Sequence, residues 1–211
     1  TGDCNSQYDV FGNFSRAITP NGTPSPHLQW DPTEQEIFDA ITDKRLDEEP
    51  MATIPEGLTA RAFAAHVARE RLRSAVPDVD TYCDAEINDS MYFTLFPNFH
   101  PWGAFNRINY RFRPVGTKVD ECLMECIYTE DFEGDERPAP AEYIELGIDQ
   151  EWTELIPVIG NLARVFHQDS FNLPKVQKGL ETFRADGLTL TKYQEVKIRH
   201  WHAMAERFIA S

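Results

Sequence analysis

Residues 106 to 113 read NRINYRFR, and they alternate without a break. Ile108, Tyr110 and Phe112 point one way, while Arg107, Asn109, Arg111 and Arg113 point the other. A two-residue period puts apolar and charged side chains on opposite faces of a strand, whereas a helix would scatter both kinds around its surface. A strand with one oily and one cationic face belongs in an antiparallel sheet packed on one side. Two further runs flank it. Met91-Tyr92-Phe93-Thr94-Leu95-Phe96 is dense in apolar and aromatic residues and stops at Pro97-Asn98, and Glu121 to Tyr128 is a third strand. The three read as neighbouring antiparallel strands, with turns at Pro101-Trp102-Gly103 and Pro114-Val115-Gly116. An earlier strand, Gly12 to Thr19, runs into the loop TPNGTPSPH.

Helical period governs both sides of this sheet region. Asp31-Pro32-Thr33-Glu34 is a start signal, with Ile37, Phe38 and Ile41 on one face of the segment it opens. Gly57 to Ala75 is a second helix, with Phe63, Val67 and Leu72 marking its buried side and His66 a partly buried neighbour. After a Pro- and Gly-containing acidic loop, Phe132 to Glu142, one helix is expected over Gln150 to Gln168 and another over Pro174 to Phe183. A terminal helix over Tyr193 to Ile209 would turn Ile198, Trp201, Ala205 and Phe208 inward. Strands flanked by helices, closed by a long helix, predict an α+β fold with an antiparallel sheet curled around that helix.

Charge narrows the classes of function. The net charge is −15. Eight acids stand against two bases between Asp31 and Glu49, and thirteen against one between Asp120 and Glu154. Such a surface repels phosphate backbones, so no nucleic-acid partner is expected. The acidic runs read first as a solvated surface and second as a dock for a basic partner. No run of about eighteen apolar residues exists, so no membrane span is expected. The four cysteines, Cys4, Cys83, Cys122 and Cys126, form no C-x-x-C pair and read as reduced thiols of a cytoplasmic protein. Cys122 and Cys126 share one strand face and are expected in the core.

One carboxylate stands out. Leu162, Val165 and Phe166 fall at i, i+3 and i+4, and Asp169 continues the stripe at i+7. A carboxylate at the end of an apolar stripe needs a metal, an arginine or a helix N-terminus. Spacing leaves a helix-end capping aspartate open beside a metal ligand. His167 lies two residues from Asp169, as His200 does from His202, and on a helix such pairs diverge by about 200°. No Ser-His-Asp pattern, phosphate loop or dinucleotide fingerprint is present.

Four stretches resemble the catalytic region of Rieske-type aromatic-ring-hydroxylating dioxygenase α subunits: GDCNSQYDVFGNFSRAITPNGTPSPHL, YFTLFPNFHPWGAFNRINYRFRP, VFHQDSFNLPKVQKGLETF and YQEVKIRHWHAMAERFI. They follow the family's order across the chain. The resemblance implies a helix-grip (START-like, SRPBCC) fold and a mononuclear Fe(II) held by two histidines and a carboxylate. It maps that carboxylate onto Asp169 as the metal ligand. It makes Phe96, Asn98 and His100 pocket wall, although an Asn after Pro also caps a strand end. Leu162, Val165 and Phe166 become pocket candidates, with core packing as the alternative.

The family's His-x4-His segment and its Rieske C-x-H and C-x2-H motifs do not occur in this sequence. The chain is therefore expected to be a fragment of a parent enzyme, inactive alone and binding neither the mononuclear iron nor the [2Fe-2S] cluster. The resemblance also implies partners for the parent: an aromatic substrate and dioxygen, electrons from NAD(P)H through a reductase and a ferredoxin, and a homotrimer with or without β subunits. The rival readings are a helix-grip carrier of a hydrophobic ligand without metal, and a structural subunit like the family's β subunit.

Overall fold

The structure, a computed structural model, describes residues 6–103, 105–129 and 135–211. The chain divides into two compact units. Unit 1 comprises Thr1–Asn106 together with Leu190–Ser211, and unit 2 comprises Arg107–Thr189.

Unit 1 is built on four antiparallel strands. β1 (Gln7–Val10) pairs with β2 (Phe14–Thr19), which pairs with β3 (Ser90–Leu95), which pairs with β4 (Phe99–Pro101). β1 is not among the expected strands. The turn expected at Pro101-Trp102-Gly103 is replaced: β3 turns back at once into β4, and Trp102 bridges to Tyr92. The neighbours of β3 are thus β2 and β4, which corrects the expected order of the three runs. Opposed residues share a face. Val10, Ser15 and Thr94 form one row, and Tyr8, Ala17, Tyr92 and Trp102 form the next.

Three helices link β2 to β3. α1 (Glu34–Ile41) starts where the sequence signals it, with Thr33 and Glu36 closing a reciprocal capping box. α2 (Ala60–Leu72) is capped by Thr59, and the short α3 (Asp84–Asn88) follows a 3₁₀ turn at Val79–Thr81. Ile37 and Phe38 of α1 pack on Ala60, Phe63 and Ala64 of α2. His66 is exposed rather than partly buried, because Phe63, Ala64 and Ala65 take the inner face. Arg61 grips the buried Asp89 through two hydrogen bonds of 2.6 and 3.1 Å and donates to the Asn21 carbonyl. That grip brings Arg61 against Gly22, where a Cβ would lie 2.6 Å from the Arg61 Cα and where φ is +77°. Only glycine fits there.

α6 (Val196–Ile209) completes unit 1. Its buried residue is Met204, while Ile198 and Phe208 are exposed. The face towards the sheet is therefore Lys197, Trp201 and Met204, about one residue round from the expected stripe at Ile198. Phe208 still stacks on Phe96 at 5.1 Å, and Trp201 lies 5.8 Å from the same ring.

Unit 2 joins a hairpin to helices. β5 (Ile108–Pro114) pairs antiparallel with β6 (Cys122–Tyr128). Its core is Ile108, Trp152, Ile159, Ala163 and Phe166, with Tyr110, Met124 and Cys126 packed against it. Cys122 is exposed at the strand end, against expectation, and only Cys126 reaches the core, where burial pushes its thiol up to about 11. The expected helix over 150–168 is interrupted. α4 covers only Trp152–Leu155, a 3₁₀ turn follows at Pro157–Ile159, and α5 begins at Leu162. Pro157 disfavours helical backbone at Ile156, which is found at φ −131° and ψ 64°. Gly160 then turns the chain at φ +57°. α5 runs unbroken to Glu181 with Pro174 inside it, so the expected break before Pro174 does not occur.

Candidate functional site

Asp169 lies in the interior of α5, seven residues after its first residue, Leu162, and twelve before its last, Glu181, so it is not a helix-end capping residue. Around the helix axis it falls between Leu162 and Val165, on the flank of the buried stripe of Ala163, Phe166 and Ser170. Water reaches its carboxylate, yet the packing beside it removes enough hydration to push its pKa upward, and burial is the sole cause. It forms no hydrogen bond or ion pair with any described residue.

The pocket candidates near it divide. Phe166 is fully packed in the core of unit 2, with Trp152 at 5.6 Å and Tyr110 at 6.1 Å. Leu162 is partly buried against the same core, and Val165 is exposed. His167 turns away from Asp169, as the helical angle requires. Its Nε2 meets Glu151 Oε2 at 3.1 Å, and its Nδ1 is buried without a partner among the described residues. Among the described residues, no group of three or more His, Cys, Asp or Glu side chains could hold a metal ion.

Phe96, Asn98 and His100 belong to unit 1, at the turn between β3 and β4. All three are half-buried. Phe96 packs on Trp201 and Phe208, and the Trp201 indole donates to the Pro97 carbonyl at 2.6 Å. His100 Nδ1 lies 3.3 Å from Thr94 Oγ1. Burial, helped by the charge of Lys197, lowers the His100 pKa to about 4, so the imidazole is neutral at pH 7.

Lys197 was not foreseen as a site residue. Its Nζ lies over the Tyr92 ring at 4.8 Å, and burial alone lowers its pKa to about 8. Nearby, Tyr92 Oη, Thr19 Oγ1 and Ser6 Oγ form a chain of hydroxyls with contacts of 3.3 and 2.9 Å, and Tyr193 donates to the Ser6 carbonyl. The signal for Lys197 was its spacing of four from both Tyr193 and Trp201. Compared with protein families, with curated proteins and with solved structures, the chain matches none.

Proposed function

We propose that this chain forms part of the catalytic large subunit of a ring-hydroxylating oxygenase. The parent would use dioxygen, with electrons from NAD(P)H passed through a Rieske cluster, to hydroxylate or cis-dihydroxylate an aromatic compound. The four motif stretches, in order, support this reading. The structural observation that carries it is Asp169: a carboxylate without a partner among the described residues, beside an apolar helical stripe, on the segment where the family places its acidic ligand.

The described residues do not by themselves fit an iron centre. A lone carboxylate lacks the imidazoles that complete a facial triad, and His167 points elsewhere and meets Glu151. No catalytic step is therefore assigned to this chain. Asp169 would contribute one anionic ligand, and the two imidazoles would come from outside these 211 residues. On the same reading the strands and α6 belong to a helix-grip architecture. The acidic surface would offer a cytoplasmic docking site to a basic electron donor, within a trimer with or without β subunits.

Replacing Asp169 by Ala in the full-length parent tests the assignment. Iron per subunit and turnover of an aromatic substrate should both collapse, while the visible spectrum of the Rieske cluster survives. Normal iron and normal turnover would remove Asp169 from the site.

One observation favours the carrier reading instead. A cleft of about 340 Å³ in unit 1 is lined by Leu28, Trp30, Ile37 and Ile41, a size that accepts a small apolar molecule. If the parent binds such a molecule equally well after removal of all metal, and shows no oxygen-dependent product, the carrier reading replaces the oxygenase.

A further inference from the structure

α6 turns a lysine onto the sheet of unit 1. The approach to the helix and the helix itself present Tyr193, Lys197 and Trp201 at intervals of four. Tyr193 packs edge-on to Tyr8 at 5.2 Å, Lys197 Nζ lies 4.8 Å from the centre of the Tyr92 ring, and Trp201 lies 5.8 Å from Phe96. The sheet-facing stripe of an amphipathic helix is ordinarily apolar. An ammonium group placed there loses hydration and calls for an opposite charge.

Among the described residues no such charge stands beside it. Lys197 takes part in no ion pair among the described residues, and burial is the only influence on its pKa. The titratable groups on that sheet face are Tyr8, Tyr92, His100 and, from the approach to α6, Tyr193. Asp9 and Arg16 point to the opposite face, where they pair with each other at 2.8 Å. In a chain of net charge −15, no carboxylate among the described residues lies on this face. Two further groups there also lack partners among the described residues: the buried Trp102 Nε1 and the fully buried Ser15 Oγ. A buried N–H with no acceptor is uncommon and costs free energy until something accepts from it.

We propose that this face binds a small organic monocarboxylate, with Lys197 Nζ as its counter-charge and Tyr92 and Trp102 as a wall for its carbon frame. The rings of Tyr92 and Trp102 lie 5.6 Å apart at 38°, offering apolar surface beside the ammonium. Tyr92, Thr94, His100, Trp102 and Lys197 are all half-buried, so each keeps part of its surface in water. One negative charge is the right number. His100 is neutral at pH 7 and, among the described residues, Lys197 is the one cation on the face, so a phosphate dianion would bring surplus charge into a desolvated place. The proposal rests on none of the motif likeness and does not involve Asp169.

The intact protein is titrated with benzoate, with benzamide as the uncharged shape and with inorganic phosphate, by calorimetry and by NMR of the lysine amines. Benzoate should bind saturably, raise the pKa of the Lys197 amine as the bound anion stabilises its charged form, and outcompete both other probes. Lys197→Met should weaken benzoate roughly tenfold or more, the range expected for losing a charged hydrogen-bond partner, and Lys197→Arg should keep most of the binding. Lys197→Met removes a desolvated charge, so it should melt no lower than the parent chain, and lost binding then reports the site rather than unfolding. Equal binding of benzamide, stronger binding of phosphate, absence of saturable benzoate binding, or benzoate binding unchanged in Lys197→Met would each overturn the proposal.

Discussion

A desolvated titratable group makes folding depend on pH, because its proton affinity differs between the folded and unfolded chain. Lys197 has a folded pKa of about 8 against an ordinary 10.5. Below pH 8 both states are protonated and the folded chain carries the full cost of the buried ammonium. As pH rises from about 8 to 10.5 the folded state sheds the proton first, and that cost is relieved. His100 shifts in the same direction, to about 4 from 6.5. Its neutral form suits the fold, so stability is lost as pH falls from 6.5 towards 4. Denaturant midpoints measured against pH should show both slopes. The stability advantage of Lys197→Met should be largest at pH 7 and shrink above pH 8; a difference that does not change with pH would show that Lys197 is hydrated in the folded state. At this scale the sequence was only half legible. His100 could be named from its motif, but Lys197 stands next to Ile198, and a lysine beside an isoleucine reads as the solvent side until the sheet shows which neighbour faces in.

Among the elements, strands were read more faithfully than helices. The alternation of 106–113 survives as β5 to within two residues, because each side chain on a pleated strand has one of two faces and the pattern leaves no third choice. The α1 start was legible because Thr33 and Glu36 form a local device that needs no tertiary help. Periodicity misled over 150–168, where apolar residues keep a helical rhythm through Pro157 and Gly160 although the backbone does not. Pro174 misleads the other way, since it predicts a break that α5 does not have. A proline in a helix interior leaves the carbonyl four residues earlier, here Ser170, without its N–H donor and typically costs about 3 kcal/mol. Leu173 and Lys175 beside the ring are exposed while Ser170 itself is buried, so water can relieve only part of that loss. Pro174→Ala should therefore raise stability, by an amount on the order of 1 kcal/mol or more, and deepen the helical signal in far-UV circular dichroism. An unchanged denaturation midpoint would mean that the helix has already adapted around the ring.

For the molecule as a whole, the α+β character was readable, but its division into two units was not. No linker composition marks Asn106 or Leu190, and the boundary follows from which side chains pack together. The core of unit 2 draws on β5, α4 and the first turns of α5, while the second half of α5 leaves Phe171, Leu173, Val176 and Leu180 in water. Backbone protection should follow burial. In native-state hydrogen exchange, amides of β2 and β3 and of β5 and β6 should exchange slowly, and those of α5 beyond Pro174 should exchange much faster than those of Ala163 to Ser170. Uniform protection along α5 would show that the exposed half is covered by something in solution.

Unit 1 is discontinuous in the chain: residues 190–211 rejoin strands laid down before residue 106, with all of unit 2 emerging in between. On the ribosome, where chains fold as they emerge, the sheet of β1 to β4 must wait for more than eighty intervening residues before its covering helix is made. During that interval Tyr8 lacks its contact with Tyr193 and Tyr92 its contact with Lys197. Unit 2 has every one of its own residues in hand before the helix that closes unit 1 is translated, so the piece that begins second is the one able to finish first.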